Sequence, residues 1–152
     1  MDVRPAHRTE AGKLTELALA SKAHWGYDEA FLAACRDELT LHSADIGRRR
    51  TTVAEENGRV LGFTTLEGFP PEGALGMMFV EPDALGRGIG RLLFEHTMAE
   101  ARRLGFVRVT IDADPNAEPF YLAMGAVRIG ATPSGSIPGR ELPLLEVGLT
   151  SR

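Results

Sequence analysis

The stretch from Met77 to Arg91, MMFVEPDALGRGIGR, limits what this chain can become more than any other. An apolar run, a proline-bearing turn, a glycine-rich loop and the opening of a long helix follow one another within it. A strand that delivers a loop into a helix leaves the first N–H groups of that helix without partners. They sit at the positive end of a dipole worth about half an elementary charge. Gly86, Gly88 and Gly90 alternate along the loop, so the backbone can approach a ligand without interference from Cβ atoms. Arg87 and Arg91 add positive charge on either side. Such a junction binds anions, and phosphate is the anion that suits it best.

Three kinds of phosphate loop compete for this stretch. A Walker A loop requires Gly-Lys-Ser/Thr after its spacer, and the stretch contains no lysine. A dinucleotide fingerprint requires Gly-x-Gly-x-x-Gly, and counting from Gly86 the last glycine position holds Arg91. Asp112 lies at a suitable distance for a ribose contact, but the upstream chain reads as helices followed by a β-hairpin, not the first unit of a doubly wound sheet. The third kind fits. LGRGIG (Leu85–Gly90) resembles the pyrophosphate loop of the GNAT superfamily of N-acetyltransferases, Gln/Arg-x-x-Gly-x-Gly/Ala after a strand. Both glycine positions match, and Leu85 replaces the polar residue. The flanks are also similar to that family. FVEP (Phe79–Pro82) precedes the loop, and DPNAEPFYLAMGA (Asp114–Ala126) resembles the family's Asn … Phe-Tyr-x-x-x-Gly-Phe helix, with Ala126 in place of the aromatic. The resemblance runs from Leu75 to Ile129, roughly a third of the chain.

Length and composition bound the rest. A chain of 152 residues, 43% hydrophobic and 25% charged, reads as one soluble domain over residues 1–152 with a substantial core. A net charge of −4 argues against nucleic acid or an anionic membrane as the main partner. The single cysteine, Cys35, permits no internal disulfide and suits a reducing cytosol. It reads as a small apolar residue on a helix face with Leu32 and Leu39. With no charged-then-apolar leader and no apolar run of membrane-spanning length, a cytoplasmic location is expected.

In chain order, Asp2–Pro5 reads as a first strand. Glu10–Lys22 follows as an amphipathic helix, and Asp28 is placed to cap a second helix running to Leu39. Asn57-Gly58 between Thr51–Glu56 and Arg59–Leu66 is a strong hairpin signal. Phe69–Gly73 reads as a turn and Leu75–Val80 as the strand feeding the loop. Ile89–Leu104 carries Leu93, Phe94, Thr97, Ala101 and Leu104 on one face, and Gly105 stops it. A strand over Phe106–Ile111, a short helix over Glu118–Met124, a strand over Ala126–Ile129, a turn over Thr132–Pro138 and a last strand over Leu142–Leu149 complete the chain. The order β-α-α-β-β-β-α-β-α-β-β matches the GNAT fold, an α/β (α+β) arrangement of a mixed, mostly antiparallel sheet with helices on both faces.

The resemblance implies acetyl-CoA as co-substrate, a primary amine as acceptor, direct attack in a ternary complex, no metal, and a homodimer. It implies that the pantetheine arm pairs with the backbone of Met78, Phe79 and Val80. Residues Gly86, Arg87, Gly88, Ile89, Gly90 and Arg91 would wrap the pyrophosphate. Asn116 would contact the pantetheine, although after Pro115 it also suits a turn. Tyr121 is the expected proton donor to the departing sulfur. A base is harder to find, because Leu75–Val80 contains neither carboxylate nor histidine and Gly76 stands where an acid would serve. Glu67 on the preceding strand, acting through water, or solvent alone, is expected to take the proton. His24, Trp25 and Tyr27, in the break between the first helices, are candidates to enclose the acceptor, where cation–π contact suits an amine. Arg48–Arg50 reads as a solvated strand entry. A GNAT-like domain that holds acyl-CoA as a non-catalytic sensor is the alternative.

Overall fold

The computed structural model describes residues 1–149. One seven-stranded sheet runs through the molecule in the order β1-β2-β3-β4-β5-β7-β6. Its strands are β1 (Asp2–Pro5), β2 (Thr52–Glu56), β3 (Arg59–Phe69), β4 (Glu72–Val80), β5 (Arg108–Asp112), β6 (Val127–Pro133) and β7 (Glu141–Gly148). Helices α1 (Ala11–Ala23) and α2 (Glu29–Leu39) pack through Leu14, Leu17, Cys35 and Leu39 onto Val53, Phe63 and Met77 of the sheet. Helices α3 (Ile89–Leu104) and α4 (Glu118–Ala123) pack on sheet residues outside that cluster. Leu93 joins Leu61 and Val80, while Phe94 and Tyr121 join Phe106, Val109 and Leu145.

Local chemistry places these elements. Asp28 accepts from the N–H of Phe31 at 2.8 Å and so caps α2. Asn57 and Gly58 both take positive φ, 53° and 80°, as a two-residue hairpin with the right twist requires. Gly105 takes φ 98° and its N–H reaches Arg102 O, while Phe106 N–H reaches Ala101 O, closing α3 with a Schellman turn. That closure buries Phe106 in the core, so β5 starts at Arg108 and not at Phe106. Pairing also carries three strands past the turn signals beside them. Gly68 pairs Gly73 and Phe69 pairs Glu72, which shrinks the expected five-residue turn to Pro70-Pro71. Thr132 and Pro133 pair with Leu142 and Glu141, so β6 takes the first two residues of the segment whose composition suggests a turn.

One pairing decides where a ligand can go. Every contact in the sheet is antiparallel except β4 with β5, which is parallel and covers only Glu72–Ala74 against Arg108–Thr110. Beyond Ala74 the two strands part. The backbone of Leu75–Val80 bonds to β3 on one side and faces a gap on the other.

Candidate active site

The gap is a cavity of about 560 Å³, within the range of small-molecule sites. Met78, Phe79 and Val80 form one wall, and Ile111, Asp112 and Asp114 the other. Gly86, Gly88, Ile89, Gly90 and Arg91 close the end where α3 begins. Gly86 and Gly88 hold φ of 81° and 80°, and a Cβ built on either meets nothing within 4 Å. Glycine is needed at these positions for the turn itself. The first helical bond of α3 runs from Leu92 N–H to Gly88 O at 3.0 Å, so the N–H groups of 89–91 have no acceptor within the helix. An extended molecule with a phosphate at one end fits both features. Strand-edge amides line its length, and open N–H groups lie at the charged end.

Arg87 does not line this cavity. Its guanidinium turns to Glu56 on β2 at 2.7 Å, an exposed ion pair that draws it off the loop. Arg91 stays at the rim while pairing with Glu95 one turn on, at 3.3 Å.

Tyr121, from α4, lines the cavity with only 7% of its surface exposed. Phe120 meets its ring edge-on at 5.3 Å, and Phe94 lies behind it. Burial, and then the negative charge of Asp114, push the phenol well above its ordinary value. It is therefore a neutral hydroxyl across the physiological range, able to donate and reluctant to ionise.

Glu67, near the end of β3, also lines the cavity. Its Oε2 accepts from Arg49 Nε at 3.0 Å, Arg49 Nη2 at 2.6 Å and Thr65 Oγ1 at 2.8 Å. Arg49 has only 15% of its side chain exposed, which corrects the reading of Arg48–Arg50 as a wholly solvated strand entry. Thr65 pairs Met77 and Leu66 pairs Leu75, which leaves Gly76 as the extra residue of a bulge in β4.

A polar cluster forms a third part of the site. Asp114 accepts from Lys22 Nζ at 2.8 Å and from the Tyr27 hydroxyl at 2.9 Å. Arg140 donates to the same hydroxyl at 2.8 Å and stands over the Tyr27 ring. Burial raises the Asp114 carboxyl, but the hydrogen bond and charge of Lys22, the Asn116 N–H and Tyr27 together outweigh it and leave the carboxyl below its ordinary range. Asn116 belongs here and not to the cavity wall. Its amide donates to Tyr27 and Asp114, both at 3.0 Å. Tyr27 is likewise a brace between α1, α2 and the loop after β5. Of the three aromatic candidates only Trp25 lines the cavity, 44% exposed, while His24 meets its ring edge-on at 5.6 Å.

Lys22, Glu38, Arg49, Asp112 and Asp114 are lining residues that sequence reasoning missed. Asp112 is raised above its ordinary value by burial and by the charge of Glu38 across the cavity. Its alternation with Asp114 at the end of a strand was the one available signal.

The sequence profile of the Acetyltransferase (GNAT) family matches residues 16–126. The chain belongs to this family. The peptidyl-lysine N-acetyltransferase YiaC of Escherichia coli (strain K12) is 32% identical over 125 residues, 81% of each chain. Among solved structures, the GCN5-related N-acetyltransferase of Rhodopseudomonas palustris superposes with a TM-score of 0.78 at 26% identity, covering 97% of this chain and 95% of that one. The PaiA N-acetyltransferase of Thermoplasma acidophilum, in complex with coenzyme A, gives 0.80 at 16% identity over 97% and 98%. The GNAT chain is thus an acyltransferase with the sheet and flanking helices of its family.

Proposed function

We propose that this GNAT protein transfers an acetyl group from acetyl-CoA to a primary amine by direct attack in a ternary complex. One observation carries the reading: the parted strands lead from the open N–H groups of α3 to a cavity that has the Tyr121 phenol and the Glu67 carboxylate on its walls. The coenzyme A held by the Thermoplasma relative and the peptidyl-lysine activity of YiaC support it. Bound acetyl-CoA supplies a thioester carbonyl for the amine to attack, giving an amide and the thiol of CoA. Residues Gly86, Gly88, Ile89, Gly90 and Arg91 hold the diphosphate through backbone N–H groups, and Met78, Phe79 and Val80 pair with the arm.

An acceptor amine with a lysine-like pKa near ~10.4 is free only on the order of once in a thousand molecules at neutral pH. Glu67 takes the surplus proton through water, and Tyr121 gives its proton to the departing sulfur and recovers one from solvent. Release of free thiol from acetyl-CoA in the presence of an amine panel tests the reading. Coenzyme A binding without any thiol release would instead identify an acyl-CoA sensor, the alternative that the lack of a carboxylate on Leu75–Val80 raises.

We further place the protein in the cytoplasm as a homodimer. No helix among the described residues is long and apolar enough to cross a membrane. The edge strand β6 presents one unpaired side together with exposed Val127 and Ile129. Light scattering at micromolar concentration reads the oligomeric state, and a monomer would overturn the dimer.

A further inference from the structure

Glu67 reaches the cavity by an indirect route. It belongs to β3, opposite Ala74, and its carboxylate lies over the backbone of its neighbour β4 at Gly76. A Cβ on Gly76 would overlap Glu67 Oε2 and stand 2.8 Å from Thr65 Oγ1. Only glycine leaves this socket open. Within it, the donors from Arg49 and Thr65 all converge on Oε2. Among the described residues no hydrogen bond reaches Oε1, and 30% of the Glu67 side chain remains exposed to the cavity side. One carboxylate oxygen is held fast while the other keeps its lone pairs.

We propose that Arg49 is a positioning residue for Glu67, and that Gly76 is the socket in which the clamped carboxylate rests. The inference builds on the reading of Glu67 as the base. Arg49 arrives from the segment between α2 and β2, with most of its side chain buried, and its Nε and Nη2 both hold Oε2 in place. Oε1 then faces the acceptor. A proton leaves the ammonium nitrogen for a water, and that water passes one to Oε1, so that the nitrogen lone pair is free and Glu67 is neutral until solvent removes the proton. The clamp also explains how a strand without a carboxylate serves a reaction that needs one. The acid is borrowed from the adjacent strand through the gap that Gly76 leaves.

The test measures kcat against pH with acetyl-CoA and a peptide bearing a single free lysine. Wild type is compared with Arg49→Met, Arg49→Lys, Gly76→Ala, Glu67→Gln and the Arg49→Met/Glu67→Gln pair. Gly76→Ala opposes mainly the far end of a flexible side chain, so the carboxylate is displaced, and Arg49→Met asks the same question without touching the backbone. Arg49→Met and Gly76→Ala are each expected to cut kcat by about 10²-fold with KM for acetyl-CoA unchanged. Arg49→Lys should restore part of the loss. The double variant should be no slower than Glu67→Gln alone, because residues acting as a unit do not add. If Arg49→Met costs the same factor in the Glu67→Gln background, or Gly76→Ala leaves kcat untouched, the clamp is overturned. Crystal structures of wild type and Arg49→Met, read for the position of the Glu67 carboxylate, separate this from failure of the acetyltransferase reading. If wild type releases no thiol, that reading falls. A Glu67 carboxylate that leaves the Gly76 socket in Arg49→Met then still upholds the clamp, and one that stays in place removes it.

Discussion

The surroundings of Tyr121 suit it to the proton-donor role proposed for it. Burial against Phe120 and Phe94, with Asp114 nearby, keeps the phenol neutral and so available as a donor. In the proposed reaction a departing thiolate, whose conjugate acid has a pKa of about 8.5, is a weaker base than the phenolate, so donation is uphill and helps within the transition state without driving the step. Tyr121→Phe is expected to lower kcat by about 10²-fold and leave acetyl-CoA binding nearly intact, as steady-state kinetics would reveal. Because the shift is upward, no loss of rate from Tyr121 ionising should occur below its ordinary value near ~10. A falling limb near neutrality that vanished in Tyr121→Phe would contradict this. The place of Tyr121 on the cavity wall was legible from the sequence because its helix carries a local pattern. Lys22 and Asp114 were not, since their partnership spans 92 residues and no local spacing announces it. Arg49 was concealed differently, within a run of three arginines whose neighbours differ in role. Arg48 pairs with Asp45 at the surface, and Arg50 bonds the carbonyls of Leu66 and Gly68.

At the scale of elements, the loop and α3 were the most legible part of the chain, since glycines, helix face and stop signal agree over adjacent residues. Strand ends were the least legible. Whether Phe69 or Pro133 continues a strand depends on the partner opposite, which no local composition contains. The loop's glycines differ in what they tolerate. Gly88→Ala places a side chain at φ 80° and should cost about 1 kcal/mol of stability, with weakened coenzyme A binding. Urea denaturation and calorimetric titration would measure the two effects. Gly88→Glu, adding a negative charge beside the open N–H groups, should abolish binding. At α2, Asp28→Ala removes the bond to Phe31 N–H and is expected to cost about 1 kcal/mol in urea, without changing the coenzyme A affinity.

For the molecule as a whole, one contribution to acid stability lies in charges near an edge of the sheet. Arg4 on β1 donates to Glu10 at 2.9 Å and to Glu55 on β2 at 3.2 Å. Its hydrogen bonds hold the Glu10 carboxyl down at about 2, from 4.5. A carboxyl depressed in the folded state contributes stability that is complete above its unfolded value and is lost as pH falls towards the folded one. The protein should therefore weaken between about pH 4.5 and about pH 2. Thermal melts of Arg4→Met should show a shallower slope in that window, and a slope equal to wild type would refute the assignment. Coenzyme A at one hundred times its Kd should add about 2.7 kcal/mol at neutral pH. The parallel seam between β4 and β5 gives that gain a direction. Three residue pairs, Glu72–Ala74 with Arg108–Thr110, are the whole of the pairing between the four-stranded bank and the three-stranded one. A molecule laid in the open part of the seam acts as mortar. It should slow amide exchange on both banks together, turning two half-sheets into one cooperative slab.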